Sequence, residues 1–254
     1  MKSSIQSLLL ALAILGTATA ALAQDSQDLE QPVFPQDPFR FTERHVWIGE
    51  STLDARSNFW DDNFRNFKAS RGGLAGLAFG GDYIQHLDRH NALMLSAGLS
   101  FTSIKEPARH VLDEDGNPLE HHLDLYSLSL TAGYLFYPTG TEQAVIPYLG
   151  AGAGIYAGTL RSYRSSFTTT TDDCDEDGNN CTTTTTFVDK EESSFLTVGY
   201  FALAGLEVPV TSHTALLVEG RYTVAHAHLG GDFADNRSLD LSGGQYTAGV
   251  AIHF

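Results

Sequence analysis

Tyr246-Thr-Ala-Gly-Val-Ala-Ile-His-Phe254 closes the chain, and its two parities decide the fold. As a strand it sends Tyr246, Ala248, Val250, Ile252 and Phe254 to one face and Thr247, Gly249, Ala251 and His253 to the other. The first face suits hydrocarbon, and the second suits an enclosed, polar space. In lipid every N–H and C=O of such a strand must be paired, which strands achieve only in a closed barrel.

The pattern recurs upstream. About Ala215 to His226, Leu216, Val218, Tyr222 and Val224 alternate with Glu219, Arg221 and Thr223. About Phe195 to Val208, Leu196, Val198, Tyr200, Ala202, Ala204, Leu206 and Val208 oppose Thr197, Gly199, Phe201, Leu203, Gly205 and Glu207. A fifth strand, about Val145 to Thr159, places Gly150, Gly152, Gly154 and Gly158 on one parity. Its uncharged run is long enough for a membrane helix, but Pro147 and glycine at period two favour a strand. The fourth aligns Tyr126, Leu128, Leu130, Ala132, Tyr134 and Phe136, with aromatics at both ends. The third, about Ala92 to Ser103, aligns Leu93, Leu95, Ala97, Leu99 and Phe101. The second, about Gly73 to Tyr83, opposes Leu77, Phe79 and Tyr83 to Ala78, Gly80 and Asp82. A weak first strand spans His45 to Leu53.

Eight strands result, with long connections after the first, third, fifth and seventh and short turns between the others. The expected fold is all-β: an eight-stranded antiparallel up-and-down transmembrane β-barrel with short periplasmic turns, long extracellular loops and both chain ends in the periplasm of a Gram-negative cell. A soluble sandwich is the alternative. Its second face would be charged, whereas here that face is mostly Gly, Ser, Thr and Ala.

Upstream of the barrel, Met1-Lys2, the apolar run Leu8 to Leu15 and Ala21-Leu22-Ala23 have the layout of a cleaved secretory signal over residues 1–23. An uncleaved anchor would need a longer apolar core. Residues 24–44, with Pro32, Pro35 and Pro38, form a periplasmic lead-in without regular structure, and residues 45–254 form the barrel. The formal net charge is −16, more negative still once Lys2 is removed. Carboxylates in such excess repel phosphates, so nucleic acid is excluded as a partner.

Gly73 to Tyr83, Pro147-Tyr148-Leu149-Gly150-Ala151-Gly152, Gly205-Leu206-Glu207, Glu219-Gly220-Arg221-Tyr222 and the terminal Phe254 resemble the small outer-membrane barrel superfamily that includes opacity-type surface antigens and the OmpA-like transmembrane domain. The resemblance covers about residues 45–254 and specifies a barrel far better than an activity. It implies outer-membrane lipid and lipopolysaccharide as surroundings. It also implies that the terminal strand, through Tyr246, Val250, Ile252 and Phe254, is the signal read by the barrel-assembly machinery.

Lumen-facing charges are expected at Asp82, Glu207, Glu219 and Arg221, with Glu50 joining them on the expected facing of the first strand. A basic residue on the lipid face near the midplane costs about 2–4 kcal/mol, whereas in the lumen Arg221 can pair with carboxylates. These groups read either as a polar plug that fixes register or as a gate or proton path. Eight strands leave an interior about filled by side chains, and the inward glycines leave room for a small cavity.

The loop 162–193 contains Phe167-Thr-Thr-Thr-Thr-Asp-Asp-Cys-Asp-Glu-Asp-Gly-Asn-Asn-Cys-Thr-Thr-Thr-Thr-Thr-Phe187. Threonine arms about Asp177-Gly178 predict an extracellular hairpin, with a disordered polar tract as the alternative. Cys174 and Cys181 are expected to form a disulfide in an exported chain, worth about 2.5 kcal/mol of loop entropy. Asp173, Asp175 and Asp177 with Gly178 have the spacing of half an EF-hand, but position twelve is Thr184. Loose divalent screening is therefore favoured over a specific Ca²⁺ site, and no other cofactor is expected. His226-Ala-His228 lacks the His-x-Ser pair that a lipid-hydrolysing histidine needs, so rim histidines are the reading and no catalytic residue is named. The function expected is non-enzymatic display of acidic, Thr-rich loops, for envelope integrity or contact with an extracellular partner. A narrow conduit for small or apolar solutes and a lipid-modifying enzyme are the other two classes considered.

Overall fold

The computed structural model describes residues 42–66, 68, 74–112, 118–164, 167–172, 182–187, 190–230 and 238–254. The expected signal segment, most of the lead-in, Cys174, Cys181, Asp173, Asp175 and Asp177 lie outside the described residues. In chain order the elements are β1 (Thr42–Leu53), α1 (Asn58–Asn66), β2 (Ala75–His86), β3 (Asn91–Leu112), β4 (Pro118–Phe136), β5 (Ile146–Arg164), β6 (Phe167–Asp172), β7 (Thr182–Phe187), β8 (Lys190–Pro209), β9 (Thr214–His228), β10 (Ser238–Asp240) and β11 (Gly243–His253).

Eight of these strands close into a ring. Each pairs antiparallel with the next, in the order β1, β2, β3, β4, β5, β8, β9, β11. β11 completes the circle, with Val250 opposite Val46 of β1 on one side and Leu216 of β9 on the other. No sheet edge is left open in this ring. Among the described residues no helix is long and apolar enough to cross a membrane; the uncharged run from Ala144 to Leu160 lies mostly in β5.

The parities hold around the ring. Val46, Leu95, Leu130, Ile155, Val198 and Val250 point outward and are exposed, while their chain neighbours point in. Tyr83, Tyr134, Phe136 and Phe254 ring the short-turn end, and Phe101, Tyr126, Tyr222 and Tyr246 ring the other. Phe136 and Tyr126 lie on one strand; at ~3.3 Å per residue and ~40° tilt they stand about 25 Å apart along the axis, the height of an outer-membrane apolar band. Outward-facing charges sit at its margins: Arg44 lies 4.8 Å from the Phe254 ring, and Arg161 lies 5.7 Å from that of Tyr126.

Turns at one end are short because local chemistry closes them. The carboxylate of Asp88 accepts from the backbone N–H of His90 at 2.7 Å and from the Asn91 amide, while Gly140 takes the left-handed conformation at φ 73°. The Asn91 bonds, followed by that of His90, hold the Asp88 carboxyl below its ordinary value.

Three differences from the sequence reading concern the ends of strands. β1 begins at Thr42, so the last lead-in residues already belong to the wall. β3 and β4 continue as a hairpin beyond the apolar band, where Lys105 meets Glu120 at 2.6 Å and Ser103 meets Asp124 at 2.6 Å. Cross-strand polar pairs such as these replace the apolar alternation on which the shorter bounds relied. The long connection after β1 contains α1, which the sequence reading did not expect. Its Phe59, Trp60 and Phe64 face one way, with Asp61 in the first turn and Arg65 in the last, as the helix dipole favours. In the longest loop, β6 and β7 pair in register, Phe167 opposite Phe187 and Asp172 opposite Thr182.

Candidate functional site in the barrel lumen

Inward side chains fill the lumen in two zones. Towards the long-loop end the filling is apolar: Leu123, Leu125, Tyr156, Leu160, Phe195 and Ala225 from the wall pack in one cluster with Phe59 and Trp60 of α1, with Leu239 of β10 and with Leu241 just after it. Helix and loop are tied polarly as well. The Trp60 indole donates to the Asp240 carbonyl at 3.0 Å, and the Asp240 N–H donates to the Ser57 hydroxyl at 3.2 Å. The Asp240 carboxylate accepts from the backbone N–H groups of Arg56 and Ser242, each at 3.0 Å. Burial would raise this carboxyl's pKa, but the bonds from Ser242 and Arg56 outweigh it and hold it below the ordinary value.

Towards the short-turn end the filling is charged. Arg221 donates to Glu219 at 3.1 Å and to the Ser96 hydroxyl at 3.3 Å, lies 3.8 Å from Asp82, and stacks 4.9 Å from the Phe201 ring. The Tyr148 hydroxyl donates to the other oxygen of Glu219 at 3.2 Å. His45 bridges three acids, at 2.6 Å from Glu43, 3.4 Å from Asp82 and 3.6 Å from Glu207. His86 contacts the second oxygen of Glu43 at 3.1 Å, and His253 approaches Glu43 at 3.9 Å. Every one of these groups is buried, so their charges are offset by neighbouring charges rather than by water, although Oδ1 of Asp82 and Oε1 of Glu207 accept no hydrogen bond among the described residues.

The four expected lumen charges, Asp82, Glu207, Glu219 and Arg221, are thus brought into one network. Glu50 is not among them. It shares the parity of Val46 and Ile48 and lies between Tyr246 and Leu77, two exposed outward residues near the long-loop margin. An outward carboxylate is tolerable there because the apolar band ends. Its place inside is taken by Glu43, which the sequence reading assigned to the lead-in. His45, His86 and Tyr148 were also missed, although each lies on the inward parity of its strand. His226 and His228 face outward at the rim, His226 3.6 Å from Asp240. The terminal Tyr246, Val250, Ile252 and Phe254 are exposed on the outer face of the wall.

The inward glycines seat rings rather than leave space. A Cβ at Gly80 would stand 2.5 Å from Cζ2 of Trp47, and one at Gly205 2.2 Å from Cζ of Tyr148. Among the described residues the lumen holds a cavity of about 70 Å³ whose lining includes Trp47, Ser129, Tyr156, Thr223 and Leu241. That is well below the roughly 300 Å³ of the smallest ordinary ligand sites.

A closed eight-stranded wall, apolar outside over a membrane-sized band and packed with charge inside, defines an eight-stranded transmembrane β-barrel. The chain is similar in structure to the outer membrane protein OprG from Pseudomonas aeruginosa, with TM-score 0.49 and 14% identity over 84% of this chain and 95% of that one. It is similar to Neisserial surface protein A, with TM-score 0.43 and 16% identity over 84% and 97%. It is also similar to the outer membrane protease OmpT from Escherichia coli, with TM-score 0.40 and 11% identity over 88% and 100%. No protein-family model and no curated protein matches the sequence.

Proposed function

We propose that this chain is a non-enzymatic outer-membrane display scaffold: a sealed barrel, its ends and short turns periplasmic, that holds acidic, threonine-rich loops outside the cell for envelope integrity or contact with an extracellular partner. The supporting observation is the double stopping of the lumen, by Trp60, Leu239 and Leu241 at one end and by the Glu43–His45–Asp82–Arg221–Glu219 network at the other. A conduit would need both to part. Lipid, lipopolysaccharide and the assembly machinery are the partners this placement requires, and the acidic Asp172–Asp177 segment favours a cationic or cation-bridged partner.

Single-channel recording on the full chain in planar bilayers tests the reading. No steady current is expected, with residues 162–193 present or deleted. Discrete, sustained conductance steps from the intact barrel would overturn it.

A further inference from the structure

We propose that Glu43, Glu207 and His253 form a site for one divalent cation of the zinc type, inside the lumen at the short-turn end. The three residues come from the beginning of β1 and the ends of β8 and β11, so closure of the ring is what assembles them. One ligand atom from each lies within 4.8 Å of the other two. Zinc bound at ~2.0–2.1 Å in a tetrahedron sets its ligands about 3.3 Å apart, a contraction within reach of side-chain rotation.

A second observation points to a ligand. Glu207 is 1% exposed, yet its Oε1 has no hydrogen bond among the described residues and only the His45 ring, at 3.6 Å, as a neighbouring cation. An ionised carboxylate oxygen left so is costly. The charge inventory agrees. Arg221 spends its contacts on Glu219 and Asp82, leaving Glu43 and Glu207 with imidazoles only. A divalent ion between the two glutamates neutralises both. Orienting contacts are in place: His86 holds Oε2 of Glu43 at 3.1 Å and His45 holds Oε1 at 2.6 Å, which leaves Oε1 its second lone pair for the metal. Two carboxylates, one imidazole and an open fourth position suit zinc, whereas calcium and magnesium seek more oxygens. The proposal is independent of what the outer loops contact.

The test uses the full chain in detergent, stripped with chelator and titrated with Zn²⁺ alone by calorimetry, with Co²⁺ absorption as the readout of geometry. One tight equivalent and a tetrahedral Co²⁺ spectrum are expected. Glu207→Gln and His253→Gln should each weaken binding at least tenfold, while His226→Gln/His228→Gln on the outer rim should leave it unchanged. Absence of a stoichiometric equivalent in the stripped wild-type protein overturns the site without any variant having to fold. Binding that survives His253→Gln unchanged, or vanishes with the rim pair, overturns it too.

Discussion

Trp60→Ala should detach the cap and leave the barrel standing. Trp60 is 1% exposed within the upper lumen cluster, its ring 5.1 Å from Phe59 and 6.3 Å from Phe64. Truncating a buried tryptophan costs about 3–5 kcal/mol, and the Asp240 carbonyl would lose its indole donor for about 1 kcal/mol more. The nine residues of α1 are too few to hold a helix unaided. The cost therefore falls on local opening, which at 1.36 kcal/mol per decade becomes roughly 10³–10⁴ times more frequent. Hydrogen exchange read by mass spectrometry should show α1 amides accelerating by that factor, up to the rate of free peptide, while β4 and β9 amides stay protected. Trp47, then the only tryptophan, should keep the blue emission of a dry lumen. Unchanged protection of α1, or equal loss across the barrel strands, would refute the division of the lumen into an independent cap and a wall.

Arg221→Met should destabilise the whole barrel by about 3–5 kcal/mol in urea titrations from vesicles, because Glu219 and Asp82 keep their burial and lose their cation; adding Glu219→Gln should recover part of the loss. Leu130→Arg, at the middle of the apolar band on β4, should cost about 2–4 kcal/mol in the same assay, and a cost near zero would count against a membrane setting for that face. Acidification should loosen the cap. The Asp240 carboxyl is held below 3.8, so its stabilisation is present at pH values above the unfolded value and is lost as pH falls from about 3.8 through the lower folded value. Exchange at α1 should therefore rise in that window, and Asp240→Asn should abolish the pH step.

Most of the wall was legible in the sequence because each strand between two solvents writes its facing in period two. Leu93 to Phe101, Tyr126 to Phe136 and Leu196 to Val208 could hardly face otherwise, and the observed parities agree. The first strand was harder. His45 and Trp47, polar and aromatic, sit on the inner face, while Val46 and Ile48 are a short apolar signal that ends at Glu50. Prolines upstream disguised Glu43 as part of a linker. The cap was hidden for a different reason: Asn58 to Asn66 is polar on average, and only the spacing of Phe59, Trp60 and Phe64 betrays a helix that buries one side. Long-range partners such as Glu43 with Glu207, or Trp60 with Asp240, have no local signature, since they meet only when the ring closes.

The two zones of the lumen answer to different physics, and this bears on function. Apolar packing at the cap is local and can open without disturbing β4 or β9, because α1 contributes no pairing to the ring. The charged zone cannot open in that way. Arg221 on β9 contacts Asp82 on β2 and Ser96 on β3, and Glu43 on β1 contacts His86 on β2, so parting these groups exposes charges that hold wall strands in register. Motions of the cap would thus alter what the long-loop end presents, while the charged stop at the short-turn end stays shut. On the proposed orientation the labile barrier faces outward and the rigid one inward, which is consistent with the display scaffold proposed above.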